Sequence, residues 1–252
     1  MTNWNLIHYD AVESTQRVAA VLAATGAPNR TVVVAARQTA GVGRKGDLWR
    51  DLPNASLLCT AIVRPPWPRS APIACYGMAM AVAVIEAIRE LSGGAATIKW
   101  PNDVLLCRGK VAGILGDATW IGQTLNALRL GVGVNVGGTR DEFIAGGLPD
   151  ATSIEAETGC TVTVEEMLSA LLARFAVWDD LLSVGQWHGV VAAWRAEVAT
   201  VGQQVRVTLA NGRELRGITT GVADNGDLLL TLPGERNPLV LAASAVQTLR
   251  SF

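Results

Sequence analysis

Two histidines and four cysteines are all that this 252-residue chain offers toward a Cys/His zinc site. His8 and His188 lie far apart, and Cys59, Cys75, Cys107 and Cys160 sit singly in or beside apolar segments, with no Cys-x-x-Cys pair. A Cys/His zinc site is not expected, and the thiols read as buried groups in a reducing cytosol. Charge is scarce too, at 17% of residues, and 21 basic against 22 acidic side chains leave a formal net charge of −1. That balance speaks against nucleic acid or an anionic membrane as a partner, so any anion must be held locally. No apolar run reaches the ~18–20 residues of a membrane span. The longest, Ala71–Leu91, is broken by Glu86 and Arg89 and reads as a buried helix. The N-terminal MTNWNLIHYD has neither a basic region nor an apolar signal core. These absences describe a soluble, cytoplasmic protein.

What is present is apolar and ordered. Half of the residues are hydrophobic, which excludes a disordered chain, and the length suits one large domain or a large and a small one. Thr31–Ala36 and Ser56–Val63 are β-branched or apolar runs of strand length. Thr97–Trp100, Val104–Cys107, Val111–Leu115 and Ala127–Val136 follow as further strands, joined by turns too short for parallel crossovers. The fold class expected is therefore α+β, with a mixed, largely antiparallel sheet flanked by helices. Thr163-Val164-Glu165-Glu166 matches a capping box, and Met167, Leu171, Phe175, Trp178 and Leu182 recur at helical spacing as a core-facing stripe. The helical region is expected to end near Thr200. Beyond Val201 the pattern turns to short alternating strands with Asn211-Gly212 and Asn225-Gly226 turns, the texture of a small SH3-like β-barrel. A boundary near residue 199 divides the chain into 1–198 and 199–252.

Five segments carry chemistry that a bare scaffold does not need. Gln38–Trp49 combines Gly41, Gly43 and Gly46 with Arg44 and Lys45. Glycine N–H groups can form an anion nest, Arg44 can grip a phosphate or carboxylate, and Trp49 offers a flat face. The alternative is a glycine-rich surface loop with solvated charges; neither a Walker loop nor a G-x-G-x-x-G fingerprint is present. Lys99-Trp100-Pro101-Asn102-Asp103 offers a compact cation beside two groups able to meet a metal or hydroxyl, or else a polar turn capping its own backbone. Gly113, in Lys110-Val111-Ala112-Gly113-Ile114-Leu115, and Gly131-Val132-Gly133-Val134-Asn135 place glycines inside apolar strands. Such glycines mark a ligand or another backbone passing close. Asn135, polar in an apolar run, needs a partner that a ligand could supply. Ser14-Thr15-Gln16 precedes a helix expected from Arg17, and taken alone it reads first as a cap.

Taken in order, Glu13-Ser14-Thr15, the Gln38–Trp49 loop, Lys99–Asp103, Lys110–Leu115, Gly131–Asn135 and Asp150-Ala151-Thr152-Ser153-Ile154 closely resemble the biotin protein ligases. The resemblance covers nearly the whole chain, and the small C-terminal barrel falls where that family has one. It implies a two-step reaction. Biotin's carboxylate attacks the α-phosphate of MgATP to give biotinyl-5′-AMP, and a lysine of a biotin carboxyl carrier domain then displaces AMP. By the resemblance, Lys99 and Arg44 are catalytic. Ser14, Thr15, Gln16, Gln38, Gly41, Val42, Gly43, Arg44, Lys99, Gly113 and Ile114 hold biotin. Arg44, Lys45, Trp49, Asn102, Asp103, Lys110, Asn135 and Ala151 serve ATP or the adenylate, and Asp103 assists Mg2+. The carrier domain, biotin and ATP are the expected partners, a homodimer through the main sheet is compatible with the strands, and no nucleic acid or membrane is expected.

Three departures from the family pattern, at four positions, stand out. Val42 and Asp47 replace loop arginines, Gln16 stands where asparagine is usual, and Asp117 shortens the acid after Gly113-Ile114-Leu115. Losing an arginine at position 42 removes about 1–3 kcal/mol of charged hydrogen bonding, which predicts weaker retention of the adenylate and a loop that is mobile until the adenylate forms. With only 13 residues ahead of Ser14, the expectation is a ligase-only form without an N-terminal DNA-binding domain. A lipoate ligase lacks support because its Arg-Arg-x-Ser-Gly-Gly-Gly pattern is missing. A protein that only holds biotin or its adenylate, with catalysis weakened at these positions, is the rival of another class.

Overall fold

The computed structural model describes residues 4–52, 55–66 and 71–252, which include every candidate site residue. Strand β1 (Asn5–Tyr9) leads through α1 (Thr15–Ala24) to β2 (Thr31–Ala35), and a helical crossover of that kind lets β1 and β2 run parallel. A two-stranded ribbon, β3 (Gly41–Val42) with β4 (Leu48–Trp49), follows before β5 (Ser56–Val63). The long helix α2 (Ile73–Ser92) then precedes four strands: β6 (Ala96–Lys99), β7 (Asp103–Leu106), β8 (Gly109–Ile121) and β9 (Thr124–Asn135). The main sheet has the order β1-β2-β5-β9-β8-β7-β6, antiparallel except at β1–β2, as the short turns require.

Burial explains why these segments are strands. All eight residues of β5 are buried, so it reads as a continuous apolar run between two covered faces. On one face Leu57, Cys59, Ala61 and Val63 pack into the main core with α2, whose Ala79, Ala83 and Ala87 let it approach the sheet closely. On the other face Ile62 joins Val33 and Ala127 beneath Ala19 and Ala23 of α1. Helix α2 stops at Gly93, whose left-handed φ of 68° suits the cap and whose N–H donates to Arg89 O at 3.0 Å.

Two short helices, α3 (Arg140–Ala145) and α4 (Ile154–Thr158), precede α5 (Val164–Ser183) and α6 (His188–Glu197). Thr163 forms the expected capping box: Glu166 N donates to Thr163 Oγ1 at 3.1 Å and Thr163 N donates to Glu166 Oε2 at 2.8 Å. Met167, Leu171, Phe175 and Leu182 are buried against α2, while Trp178 is only partly covered. The C-terminal strands are β10 (Gln204–Leu209), β11 (Glu214–Val222), β12 (Leu228–Thr231), β13 (Leu239–Leu241) and β14 (Val246–Ser251). They form an antiparallel sheet in the order β13-β12-β11-β10-β14. Among the described residues no hydrogen-bonded pair joins β13 to β14, so the expected five strands are present as an open sheet.

Several boundaries differ from the sequence reading. Strand β1 carries no apolar pattern because it is a mostly exposed edge. Strand β8 runs to Ile121 rather than Leu115, because its outer half pairs with β9 as a solvent-facing hairpin and needs no apolar run. The helical region after Thr163 breaks at Val184–Trp187 and ends at Glu197, three residues earlier than expected.

Candidate active site

The α1 face of the sheet is only partly covered. Past the end of α1 that holds Ser14, the face opens into a cavity of about 270 Å³ beneath the β3–β4 ribbon. Its floor is glycine. Gly113 of β8 stands directly opposite Gly133 of β9, and Gly131 follows on the same side. A Cβ on Gly133 would lie 2.5 Å from the Trp49 ring, and one on Gly113 would lie 3.0 Å from it. A Cβ on Gly131 would lie 2.7 Å from Gln16 Nε2. The interior glycines therefore clear room for two polar-tipped side chains and for the space beside them.

Three buried polar atoms on the wall have no hydrogen-bond partner: Ser14 Oγ, Gln16 Oε1 and Trp49 Nε1. Ser14 occupies the N-cap position of α1, yet its hydroxyl makes no cap bond, so the capping alternative for this serine does not hold. Gln16 is anchored by its amide, which donates to Leu115 O at 2.8 Å and leaves Oε1 turned elsewhere. Thr15 is tied down by Gln38, whose Oε1 accepts from the Thr15 N–H at 2.7 Å and from its hydroxyl at 3.1 Å. Burying an unmatched polar atom costs about 1–3 kcal/mol, and a ligand supplying the missing partner recovers it.

Cations close the other side. Lys99, at the end of β6, reaches the cavity across the turn Trp100-Pro101-Asn102. That turn is held from both directions. Trp100 is buried, its N–H donates to Thr200 Oγ1 at 2.9 Å and its indole donates to Gly226 O at 2.8 Å. Asn102 Nδ2 donates to Ile114 O at 3.1 Å. Lys110 pairs with Asp103 at 2.6 Å and stands 5.5 Å from the Trp49 ring centroid. Arg44 donates to Ala243 O at 2.8 Å and Val246 O at 2.6 Å, and Lys45 also donates to Val246 O. Burial lowers the Arg44 guanidinium from its ordinary value, opposed by the carboxylates of Asp103 and Asp47. Burial, then the neighbouring Arg44, likewise lowers the Lys45 ammonium. An anion between these cations and the ribbon's backbone would be held where repulsion between two negative reactants is offset.

Ser14, Thr15, Gln16, Gln38, Val42, Gly43, Arg44, Lys45, Trp49, Lys99, Asn102, Asp103, Lys110, Gly113 and Ile114 all line this one cavity. Three expected residues do not. Gly41 is in the ribbon opposite Trp49, where a Cβ would meet Trp49 O at 2.7 Å. Asn135 is buried and its amide donates to Thr152 O at 2.9 Å, so its partner is the chain itself. Ala151 bridges Lys110 through the backbone, outside the wall. The helping role expected of Asp103 toward a metal meets its ion pair with Lys110, and among the described residues no three His, Cys, Asp or Glu side chains cluster for a metal ion. Sequence reasoning did not find Val246, Gln247, Thr248 and Leu249 of β14, which complete the wall from the C-terminal sheet. Main-chain carbonyls receive Arg44 there, and a carbonyl leaves no signature in a sequence.

Comparison with known proteins identifies the family. The profile of the biotin/lipoate A/B protein ligase family matches residues 9–135, and that of the biotin protein ligase C-terminal domain matches residues 200–244. The biotin–acetyl-CoA-carboxylase ligase of Paracoccus denitrificans is 35% identical over 87% of this chain and 91% of its own length. The bifunctional ligase/repressor BirA of Bacillus subtilis (strain 168) is 31% identical over 90% of this chain and 69% of its own. A biotin protein ligase from Aquifex aeolicus, solved in complex with biotin and ATP, shares the fold with a TM-score of 0.80, at 24% identity over 98% of this chain and 99% of that one. The glycine-floored cavity, the cations around it and the matched sequence on both sides of residue 199 lead to one assignment: the chain belongs to the biotin/lipoate A/B protein ligase family, among the biotin protein ligases.

Proposed function

We propose that this chain joins biotin to ATP as biotinyl-5′-AMP and passes the biotinyl group to a lysine of a biotin carboxyl carrier domain. The observation that carries the proposal is the cavity's composition: the unpartnered polar atoms Ser14 Oγ, Gln16 Oε1 and Trp49 Nε1 and the cations Arg44, Lys45, Lys99 and Lys110 line one cavity over a floor of glycine. A ligand with a polar ring, an apolar middle and a carboxylate fits that set of groups. Ser14 Oγ and Gln16 Oε1 meet its ring, and the glycine floor accepts its flat body.

In the first step a carboxylate oxygen of biotin bonds to the α-phosphorus of ATP, and the bond to the β-phosphate oxygen breaks to release pyrophosphate. Lys99 and Arg44 offset repulsion between the two anions and stabilise charge building on the phosphoryl oxygens. Mg2+ enters with ATP as part of the substrate. The β3–β4 ribbon keeps water from the mixed anhydride. In the second step the carrier's neutral lysine amine bonds to the acyl carbon, AMP leaves, and the extra proton on nitrogen passes to solvent.

Biotin-dependent ATP–pyrophosphate exchange tests the first step without a carrier. The expected result is exchange that requires biotin, is absent with lipoate and falls at least ~100-fold in Lys99→Ala, the usual scale for losing one electrostatic group at the reacting centre. Saturable biotin binding with no exchange would leave a biotin-holding protein and overturn the ligase reading. Val42 in place of an arginine predicts faster escape of biotinyl-5′-AMP, measured by its hydrolysis in solution, and Val42→Arg should slow that escape.

A further inference from the structure

Three arginines stand in one row on the outer face of the C-terminal sheet. Arg206 of β10 is directly opposite Arg216 of β11 on one side and Arg250 of β14 on the other. All three are exposed, and none has an ion-pair or hydrogen-bond partner among the described residues. Like charges directly opposite on neighbouring strands repel and work against the sheet that carries them. Glu214, the one carboxylate in these three strands, stands opposite Thr208 and pairs with none of them. In a chain whose basic and acidic residues otherwise cancel, this concentration is local.

Its position gives it a use. Thr248 lines the cavity, and Arg250 lies two residues further along the same face of β14, about 7 Å away at the rise of an antiparallel strand. The row therefore extends outward from the cavity mouth. The acceptor must deliver a lysine to a mouth already lined by Arg44, Lys45, Lys99 and Lys110, against only Asp47 and Asp103. An acceptor with a neutral or basic face would be turned away, whereas an acidic face is drawn in and oriented.

We propose that Arg206, Arg216 and Arg250 form a docking surface for an acidic protein face, presented by the acceptor domain beside its target lysine. This rests on the ligase reading above and adds the acceptor's chemistry and where it binds. The surface acts on encounter, not on the reaction, so its residues position the acceptor and do not touch biotin or ATP.

The test uses the full-length protein as Arg206→Gln/Arg216→Gln, both outside the cavity wall, with a biotin carboxyl carrier domain as the probe. The expected result at low salt is a KM for the carrier raised roughly tenfold with kcat unchanged, in the range of electrostatic effects on encounter. The salt dependence of transfer should flatten in the variant, because the screened charges have gone. Biotin-dependent pyrophosphate exchange should be unchanged and the Tm should not fall. An unchanged carrier KM overturns the proposal. A matching loss of exchange also overturns it, because the row would then serve the nucleotide. Arg206→Lys, which keeps the charge, should restore the carrier KM in the Arg216→Gln background relative to Arg206→Gln. Calorimetric binding of the carrier domain reads the surface independently of catalysis. Absence of exchange in the unaltered protein would sink the ligase reading, while weaker carrier binding by the variant would still support the surface.

Discussion

On one face of the main sheet α2 and α5 cover β5, β8 and β9 with alanine, isoleucine, leucine and phenylalanine. On the other face α1 packs over parts of β2, β5 and β9, and beyond it the same β8 and β9 turn Gly113, Gly131 and Gly133 toward an open cavity. Alternation along a strand makes this division possible, since Ile114 and Val132 point into the core while the glycines beside them point away. One set of residues thus supplies stability and its immediate neighbours line the cavity. Changes on the two faces should separate the two properties.

The largest expected effect is on the packed face. Phe175→Ala should cost about 3–5 kcal/mol, the usual range for deleting a fully buried ring, measured by chemical denaturation. The folded fraction should bind biotin with an unchanged Kd, and a changed Kd would break the separation. On the open face, Gly133→Ala places a carbon 2.5 Å from the Trp49 ring, which must shift. Overpacking of that kind costs about 1–3 kcal/mol, and biotin affinity should fall at least ~10-fold with it. Ser14→Ala sharpens the contrast because its two effects oppose each other. Removing an unmatched buried hydroxyl should leave the empty protein as stable or up to about 1 kcal/mol more stable, while biotin affinity falls roughly tenfold.

The smallest effect is a pH dependence from Cys59, which packs on the closed face and whose thiol is pushed up to about 12 by burial. The folded state then keeps its proton where the unfolded chain loses it. This stability is fully present below the ordinary thiol range and is lost as pH rises from there toward 12. By pH 10 the loss should amount to about 1.4 kcal/mol, seen as a steeper fall in Tm than in Cys59→Ala.

The closed face was legible in the sequence, because apolar runs and the capping box at Thr163 follow from local chemistry. The open face was legible where function demands unusual residues together, as in Lys99–Asp103 and the Gly41–Trp49 loop. It was not legible where the answer lies in a partner distant in sequence. Glycines 113 and 133 announce that something passes close, but nothing local says that the first occupant is the Trp49 ring. Asn135 looked available to a ligand because its acceptor, Thr152 O, comes from a later turn. Strand β1 shows no apolar alternation, being an exposed edge held mainly by its ladder with β2.

The grip of Arg44 on Ala243 and Val246 has a consequence that runs in both directions. A phosphate that draws the guanidinium toward itself must compete with two carbonyls of the C-terminal sheet. If Arg44 holds the nucleotide as proposed, any tightening or loosening of that sheet against the ribbon would alter nucleotide affinity by some factor, and the nucleotide would alter the hold on the sheet by the same factor. The terminal 50 or so residues would in this sense be an effector of the cavity built into the same polypeptide.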